Sequence, residues 1–152
     1  MPAASNEHTT KAFDLDLQEL TRMIAEMGGF AEKQVNEAVG ALSQRDLQRC
    51  ARIVSADANL DALQREIEHK VIATIATRQP MAIDLREVIG ILRIAGELER
   101  IGDLAKNIGK RVGALEGDFY PSKLLRGVEH MASLVLDQLK QVLDAYASRD
   151  LQ

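Results

Sequence analysis

The amino-acid sequence predicts an all-α protein, an elongated antiparallel bundle of long helices. Three observations support this fold class. Hydrophobic residues make up 46% of the 152 residues, but Trp is absent and only five residues are Phe or Tyr, so the apolar content is mainly aliphatic. Proline occurs only at Pro2, Pro80 and Pro121, which leaves long segments without a helix breaker. Within those segments apolar residues recur every three or four positions, the spacing of one helix face.

Residues 13–79 are predicted to form two consecutive helices joined by a polar turn. The turn is Ser43-Gln44-Arg45-Asp46, in which Asp46 can accept hydrogen bonds from the free amides at the start of the second helix. Gly28 and Gly29 lie inside the first helix, where each costs about 0.5–1 kcal/mol relative to Ala, and they indicate close helix packing rather than a hinge. The apolar rows of this αα-hairpin are Leu17, Leu20, Ile24, Met27, Ala31, Val35, Ala38 and Leu42, then Leu47, Ile53, Leu60, Ile67, Val71 and Ile75.

A third helix is predicted after Pro80, which cannot continue the second helix. Asp84 and Glu87 have the spacing of a capping box, with Asp in place of Ser or Thr. Gly113, Gly117 and Pro121 are expected to close the helix. Its apolar residues form two rows that repeat every seven positions, the period of bundle packing, and the rows are Ile91, Leu98, Ala105 and Val112 beside Ile94, Ile101, Ile108 and Leu115.

A fourth helix is predicted from about Ser122, with two apolar rows. The row Leu124, Val128, Met131, Val135, Leu139 and Val142 is expected to pack partly on the first three helices. The row Leu125, Ala132, Leu136 and Leu143 then points away. Since monomers seldom expose large contiguous apolar patches, we expect a two-fold homodimer through this helix. The predicted organisation is a disordered tail at 1–12, a three-helix repeat at 13–117 and a fourth helix at 118–152.

Charge and the start of the chain narrow the class of protein. Lys plus Arg number 19 against 23 Asp plus Glu, so the formal charge is 19 − 23 = −4, which argues against sequence-independent binding of nucleic acid. The single Cys50 excludes an intrachain disulfide and suits a reducing compartment. Residues 1–11 do not resemble a secretory signal, and no run of about 18 apolar residues is present. We therefore expect a cytoplasmic chain that does not insert into a membrane.

The sequence contains no phosphate loop, no cysteine cluster and no Ser/His/Asp set at a known spacing, so no enzyme is predicted. The remaining candidates for a functional site are carboxylates. Glu99 and Asp103 lie four residues apart on one face of the third helix, where their like charges repel. A hard cation such as Mg²⁺, Mn²⁺ or Fe would turn that repulsion into attraction. The alternative is that Lys106 and Lys110 neutralise Asp103.

A second pair of carboxylates, Asp57 and Asp61, lies four residues apart near the middle of the second helix. In an antiparallel hairpin this point faces the third helix near Glu99, so four carboxylates can converge on one or more ions. The alternative is a solvated acidic face paired with Arg52 and Arg65.

Glu66-x-x-His69 matches part of the ligand set of ferritin-like di-iron bundles, which need two such motifs and two further Glu residues. No second copy is present, because Gly127 stands three residues before His130. His69 is therefore interpreted as a surface or boundary residue.

Several short motifs follow one another in a fixed order. They are Arg78-Gln79-Pro80, Asp84-Leu85-Arg86, and Glu97-Leu98-Glu99-Arg100-Ile101-Gly102-Asp103 followed by Asn107-Ile108, accompanied by Met27-Gly28-Gly29 and Ala76-Thr77-Arg78. Together they resemble the PhoU family of phosphate-signalling regulators over about residues 13–150. The resemblance implies an all-helical protein of three-helix repeats. Here it covers one full repeat and the first helix of a second, a truncated or short form.

The resemblance also implies a metal-binding regulator without catalytic activity. By this likeness Glu99 and Asp103 are metal ligands and Asp57 and Asp61 contribute from the neighbouring helix, for a divalent or ferric ion such as Mg, Mn, Fe or Zn. The implied partners are the ATPase subunit of the phosphate ABC transporter and the phosphate-sensing histidine kinase, at the inner face of the membrane. An adaptor between them would keep the phosphate-starvation response off when phosphate is plentiful. The alternatives are a ferritin-like carboxylate metal protein and a purely structural helical module.

Overall fold

The computed structural model describes the backbone of residues 3–115 and 121–148, and the side chains of residues 11–115, 121 and 123–148. This part of the chain forms four α-helices and no strand. At a rise of 1.5 Å per residue, the 42 residues of the first helix extend about 63 Å, so the predicted elongated all-α fold is confirmed. The helices are α1 Ala3–Gln44, α2 Leu47–Arg78, α3 Ile83–Ala114 and α4 Ser122–Ser148.

The N-terminal part of α1 differs from the prediction. The helix begins at Ala3, so the backbone of residues 3–12 is helical where a disordered tail was predicted. No Pro or Gly interrupts the sequence between Ala3 and Met27. Extending an existing helix costs far less than nucleating a new one, so a segment without apolar periodicity can continue a helix that is stabilised further along.

The turn between α1 and α2 forms where the sequence predicts it. α1 ends at Gln44, and Arg45 adopts a left-handed conformation with φ of 53°. The Asp46 carboxylate accepts a hydrogen bond from the Arg49 amide at 2.9 Å. Asp46 is therefore the N-cap of α2, as predicted.

The start of α3 is capped by the backbone, so the predicted capping box at Asp84 is wrong. The cap position is Ala82, at φ 51°, which makes no side-chain capping hydrogen bond. The Arg86 amide donates to the Ala82 carbonyl at 3.2 Å, and the Asp84 amide donates to the Met81 carbonyl at 3.2 Å. Asp84 instead lies in the first turn of the helix, where its negative charge interacts favourably with the helix dipole.

The end of α3 agrees only partly with the prediction. The helix ends at Ala114, so Gly113 lies within its last turn rather than after it. Gly117 and the predicted boundary between residues 117 and 118 lie outside the described residues. Residues 149–152 of the predicted fourth segment also lie outside them. No helix in the described ranges is both long enough and apolar enough to cross a membrane.

The core of α1, α2 and α3 is divided by a polar layer. A larger hydrophobic cluster contains buried residues at 13–31 of α1, 60–71 of α2 and 88–98 of α3. A smaller cluster contains Ala38, Ala41, Cys50, Ile53, Ala105 and Val112. Between them lie the buried polar residues Gln34 on α1 and Asp57 on α2, level with Asp103 on α3. The candidate carboxylates therefore lie where the apolar core is interrupted.

α4 packs on α1 alone among the helices described. The row Leu125, Ala132, Leu136 and Leu143 is partly buried, and Leu143 lies against Gly28. In the other row Val128 and Leu139 are partly buried, and the remaining members are exposed, with Leu124 at 58%, Met131 at 59%, Val135 at 46% and Val142 at 66%. The partial packing predicted for this row is confirmed at Leu139. The prediction that the row with Leu143 points away is wrong, because the bare backbone at Gly28 leaves room for the Leu143 side chain.

Candidate functional site

Small residues on α3 bring α2 close to the candidate site. A Cβ atom at Gly102 would contact the side chain of Leu60, which lies on α2. A Cβ atom at Gly109 would lie 3.6 Å from the Cys50 carbonyl oxygen and 3.5 Å from a methyl group of Ile53. Because the two helices approach each other this closely, short side chains on α2 can reach polar groups on α3.

Lys106 links two of the four candidate carboxylates, Asp57 on α2 and Asp103 on α3. Its ammonium donates to Asp57 Oδ2 at 2.5 Å and also to Asp103 Oδ1. The Asp57 side chain is 11% exposed and that of Lys106 is 20% exposed, whereas Asp103 is 45% exposed. The hydrogen bonds to Asp103 and Asp57 raise the pKa of Lys106 well above its ordinary value. Lys106 therefore stays charged and links α2 to α3.

Among the described residues, neither the Glu99 carboxylate nor that of Asp61 forms an ion pair. Burial raises the pKa of Glu99, and the negative charges of Asp103, Asp61 and Asp57 raise it further, against a smaller opposing effect of Lys106. Asp103, Asp61 and Asp57 thus all lie close enough to Glu99 for their charges to act on it, as does Lys106. This agrees with the predicted position of Asp57 and Asp61 opposite Glu99.

The donor set fits a hard cation in chemical kind, because carboxylate oxygens and excess negative charge are what such ions prefer. Its arrangement is that of an ion-pair cluster around Lys106. Among residues 11–115, 121 and 123–148, no three Asp, Glu, His or Cys side chains are grouped as metal ligands. Metal ligation by Glu99, Asp103, Asp57 and Asp61 therefore stays a prediction.

The alternative ion pairs proposed for these residues hold only in part. Lys106 does neutralise Asp103, as the alternative for that residue stated. Asp57 pairs with Lys106 rather than with an arginine of its own helix. Arg65 donates to the backbone carbonyl of Asp61 at 3.1 Å.

The partial ferritin-like motif does not point into the bundle. Glu66 and His69 are both exposed on α2. His69 is therefore a surface residue, as interpreted from the sequence, and this pair does not contribute to the acidic cluster.

Gln34 is a functional candidate that sequence reasoning missed. It is 5% exposed, and both its amide nitrogen and its amide oxygen are buried without a hydrogen-bond partner among the described residues. Leaving a buried polar group unsatisfied costs about 1–3 kcal/mol. The signal in the sequence was a polar residue three positions after Ala31 and four before Ala38, on the inward row of α1.

Arg78 gives one of the short motifs a structural role. Its Nε donates to Asp16 Oδ2 at 2.8 Å, which ties the end of α2 to α1. Lys70 Nζ lies 3.5 Å from the other oxygen of Asp16 and donates to Glu19 at 2.5 Å. This ion-pair cluster stabilises the end of the bundle that lies opposite the turn at Asp46.

Comparison with known sequences identifies the family. Residues 24–112, more than half of the chain, match the PhoU domain. The phosphate-specific transport system accessory protein PhoU homolog of Rhizobium meliloti (strain 1021) is 54% identical over 145 residues, which are 95% of this chain and 61% of the relative. The protein named PhoU from Edwardsiella tarda is 35% identical over 147 residues, 96% of this chain and 60% of its own length. The chain thus spans about three fifths of the length of these curated relatives.

Solved structures agree with the sequence match. The crystal structure of PhoU from Pseudomonas aeruginosa superposes with a TM-score of 0.84 at 34% identity, covering 91% of this chain and 66% of that one. The phosphate transport system regulatory protein PhoU from Streptococcus pneumoniae gives a TM-score of 0.79 at 30% identity, covering 88% of this chain and 62% of that one. With a domain match, close relatives and a shared fold, the chain belongs to the PhoU family.

Proposed function

We propose that this chain is a regulatory accessory protein of phosphate uptake, without catalytic activity of its own. The supporting observation is its 54% identity, over 95% of its length, with a protein named as an accessory of the phosphate-specific transport system. In this proposal the helical bundle bridges the ATPase subunit of the phosphate ABC transporter and the phosphate-sensing histidine kinase. It thereby represses the phosphate-starvation response when phosphate is plentiful. Its proposed location is the cytoplasm, at the inner face of the membrane when partners are bound.

Complementation tests this role. The chain is expressed in a bacterium that lacks its own PhoU protein and carries a reporter driven by a phosphate-starvation promoter. We expect the reporter to be repressed again at high phosphate. Copurification with the phosphate transporter ATPase, compared with an unrelated ABC ATPase, checks the partner. A reporter that stays active while circular dichroism shows a folded helical chain would contradict the proposal.

We also propose that the acidic cluster binds a divalent or ferric cation, such as Mg, Mn, Fe or Zn, in place of the Lys106 ammonium. The support is that Asp57 and Asp103 share a single lysine, and that burial and the charges of Asp103, Asp61 and Asp57 raise the pKa of Glu99. A cation can neutralise more than one of these carboxylates, whereas the ammonium supplies only one positive charge.

Metal content, measured by elemental analysis after equilibration with each ion, tests the acidic site. We expect bound metal in the wild type and its loss in the Glu99→Gln/Asp103→Asn variant. The Lys106→Met variant should bind more tightly, because its carboxylates have lost their internal counter-ion. Equal metal content in the wild type and the Glu99→Gln/Asp103→Asn variant would refute the assignment.

We further propose that two chains form a homodimer through the exposed row of α4. The spacing along this row is seven, four and seven positions, for Leu124, Met131, Val135 and Val142. The spacing is therefore the same when the row is followed in either direction. An antiparallel copy related by a two-fold axis therefore pairs Leu124 with Val142 and Met131 with Val135. Gly127, Gln138 and Gln141 flank this row and carry no charge, so no like charges oppose one another.

Sedimentation velocity at tens of micromolar tests the dimer. We expect the wild type to sediment as a dimer and Val135→Lys as a monomer. Ser133→Lys is the matched control, since residue 133 is exposed on the polar face of the same helix. A monomeric wild type, or a Val135→Lys variant that still dimerises, would contradict this interface.

A further inference from the structure

Apolar side chains line the outer side of the junction between α2 and α3, toward the turn that joins the two helices. Asp61 on α2 and Glu99 on α3 lie on adjoining faces of this junction, since the charge of Asp61 acts on Glu99. Ile72 follows Asp61 by eleven residues, about three turns, and so lies on the same face of α2. On α3, Leu85 and Leu92 precede Glu99 by two heptads and one heptad and share its face. These three apolar residues form what we call the α2–α3 patch.

The packing of the two helices places the members of the α2–α3 patch at the same level. The helices are antiparallel, and Leu60 on α2 lies against Gly102 on α3. Twelve residues further along α2, Ile72 is therefore level with residue 90 of α3, inside the stretch that carries the other two members. Ile72 is 62% exposed and Leu85 is 37% exposed. The patch is thus an apolar surface between two helices that the bundle itself leaves uncovered.

A row of exposed arginines borders the α2–α3 patch on α3. Arg86, Arg93 and Arg100 follow one another every seven residues, so they lie on one helix face about 10.5 Å apart. Within the described part of the chain, neither Arg93 nor Arg100 forms an ion pair. Even with Glu97, which stands between these two, the formal charge of the row is 3 − 1 = +2. The row is therefore positive on a chain whose formal charge is −4.

The shape and charge of this surface decide the class of partner. A bilayer is disfavoured, because the same two faces carry Asp61 and Glu99 a few turns from the patch, and these carboxylates would repel anionic headgroups. A seven-residue repeat is the period at which one helix meets another, and amphipathic helices bind between helices through an apolar row. We propose that the α2–α3 patch binds an amphipathic helix of a partner protein, whose Asp or Glu side chains, seven residues apart, pair with the arginine row. This inference does not depend on the transporter, the kinase or a bound metal ion.

Fluorescence anisotropy on the full chain tests the proposal with a labelled helical peptide of four heptads as the probe. The peptide carries Leu at two positions of each heptad and Glu at a flanking position, and a second peptide has Lys in place of that Glu. We expect the Glu peptide to bind about tenfold more tightly than the Lys peptide, and its affinity to fall as salt is added. Vesicles of phosphatidylglycerol test a lipid surface, to which we expect no binding. Equal binding of the two peptides, or binding of the vesicles in place of the Glu peptide, would overturn the proposal.

Variants with matched controls locate the surface. Arg93→Glu/Arg100→Glu should reverse the preference, so that the Lys peptide binds more tightly than the Glu peptide. Arg126→Glu changes an exposed arginine of α4 and should leave both affinities unchanged. Ile72→Gln should weaken binding of the Glu peptide, whereas Leu134→Gln, which removes an exposed leucine of α4, should not. A preference that is the same in the wild type and Arg93→Glu/Arg100→Glu, while circular dichroism shows both folded, would also overturn the proposal.

Discussion

Replacing Gly28 and Gly29 one at a time with alanine separates helix propensity from packing. The two residues are neighbours in the middle of α1, so their intrinsic preferences are the same. Gly29 is exposed, and a Cβ atom built there has no neighbour within 4 Å. A Cβ atom at Gly28 would lie 2.5 and 2.8 Å from the two methyl groups of Leu143 and 3.3 Å from its Cγ. An alanine at position 28 would therefore be overpacked, and an alanine at position 29 would not.

The expected difference follows from two known magnitudes. Alanine is favoured over glycine inside a helix by about 1 kcal/mol, so Gly29→Ala should stabilise the protein by about that amount. Inserting a methyl group into a filled contact costs about 1–3 kcal/mol. This cost should cancel or reverse the gain at Gly28. We therefore expect Gly28→Ala to be about 1–3 kcal/mol less stable than Gly29→Ala, a separation of about 2–4 °C in melting temperature for each kcal/mol.

Urea and thermal unfolding followed by far-UV circular dichroism measure this difference. Hydrogen exchange of α4 amides adds a local measurement, since α4 packs on α1 alone among the described helices. The double-mutant cycle supplies the control: in a Leu143→Ala background the two glycine substitutions should have equal effects. Equal stability of the single variants in the wild-type background, or a difference that persists without the Leu143 side chain, would refute the packing argument.

Two further predictions concern the ends of the bundle. Asp46→Ala removes the hydrogen bond to the Arg49 amide and should lower the free energy of unfolding by about 1 kcal/mol, measured by urea titration. Burial alone would raise the pKa of Asp16, but hydrogen bonds and charges from Arg78 and Lys70 outweigh it and lower that pKa. The unfolded chain therefore binds this proton more readily, and the stabilisation is present above the unfolded pKa and lost as pH falls through the folded pKa. The decrease in melting temperature from about pH 7 to about pH 3 should therefore be larger for the wild type than for Asp16→Asn. An equal decrease in the two proteins would contradict this.

Periodicity predicted the interior of α1 to α3 well because it depends on one helix at a time. All four members of the α3 row beginning at Ile91 are buried, and the row beginning at Ile94 is partly buried except at its last member, Leu115, which is exposed. The N-cap at Asp46 was equally local, since a capping side chain needs only its own turn. The cap of α3 could not be found in this way, because Ala82 supplies it through backbone conformation rather than through a side chain.

Contacts between helices were harder to predict, because they depend on what the neighbour offers. α4 has two apolar rows that both contribute to packing, through Leu139 and Leu143, and the place of Leu143 depends on the missing side chain at Gly28, on another helix. The sequence predicts that Asp57 and Asp61 face the third helix near Glu99, but the role of Lys106 as a bridge to Asp57 depends on the close approach of α2 and α3. The sequence analysis did not predict a role for Gln34, although a polar residue on the inward row of α1 is visible in the sequence.

The polar layer at Gln34 and Asp57 divides the hydrophobic core of the three-helix bundle into two unequal parts along its length. The larger core has 14 buried residues and the smaller one has six, of which α1 contributes only two alanines. Segments with little buried apolar surface open at lower free energy than the rest of a fold. We therefore expect the amides near Ala41 and Cys50 to exchange with solvent well before those near Leu20 and Ile67. On this reasoning we expect the bundle to open first at the Asp46 turn, and we expect the polar layer to limit how far along the helices the opening spreads.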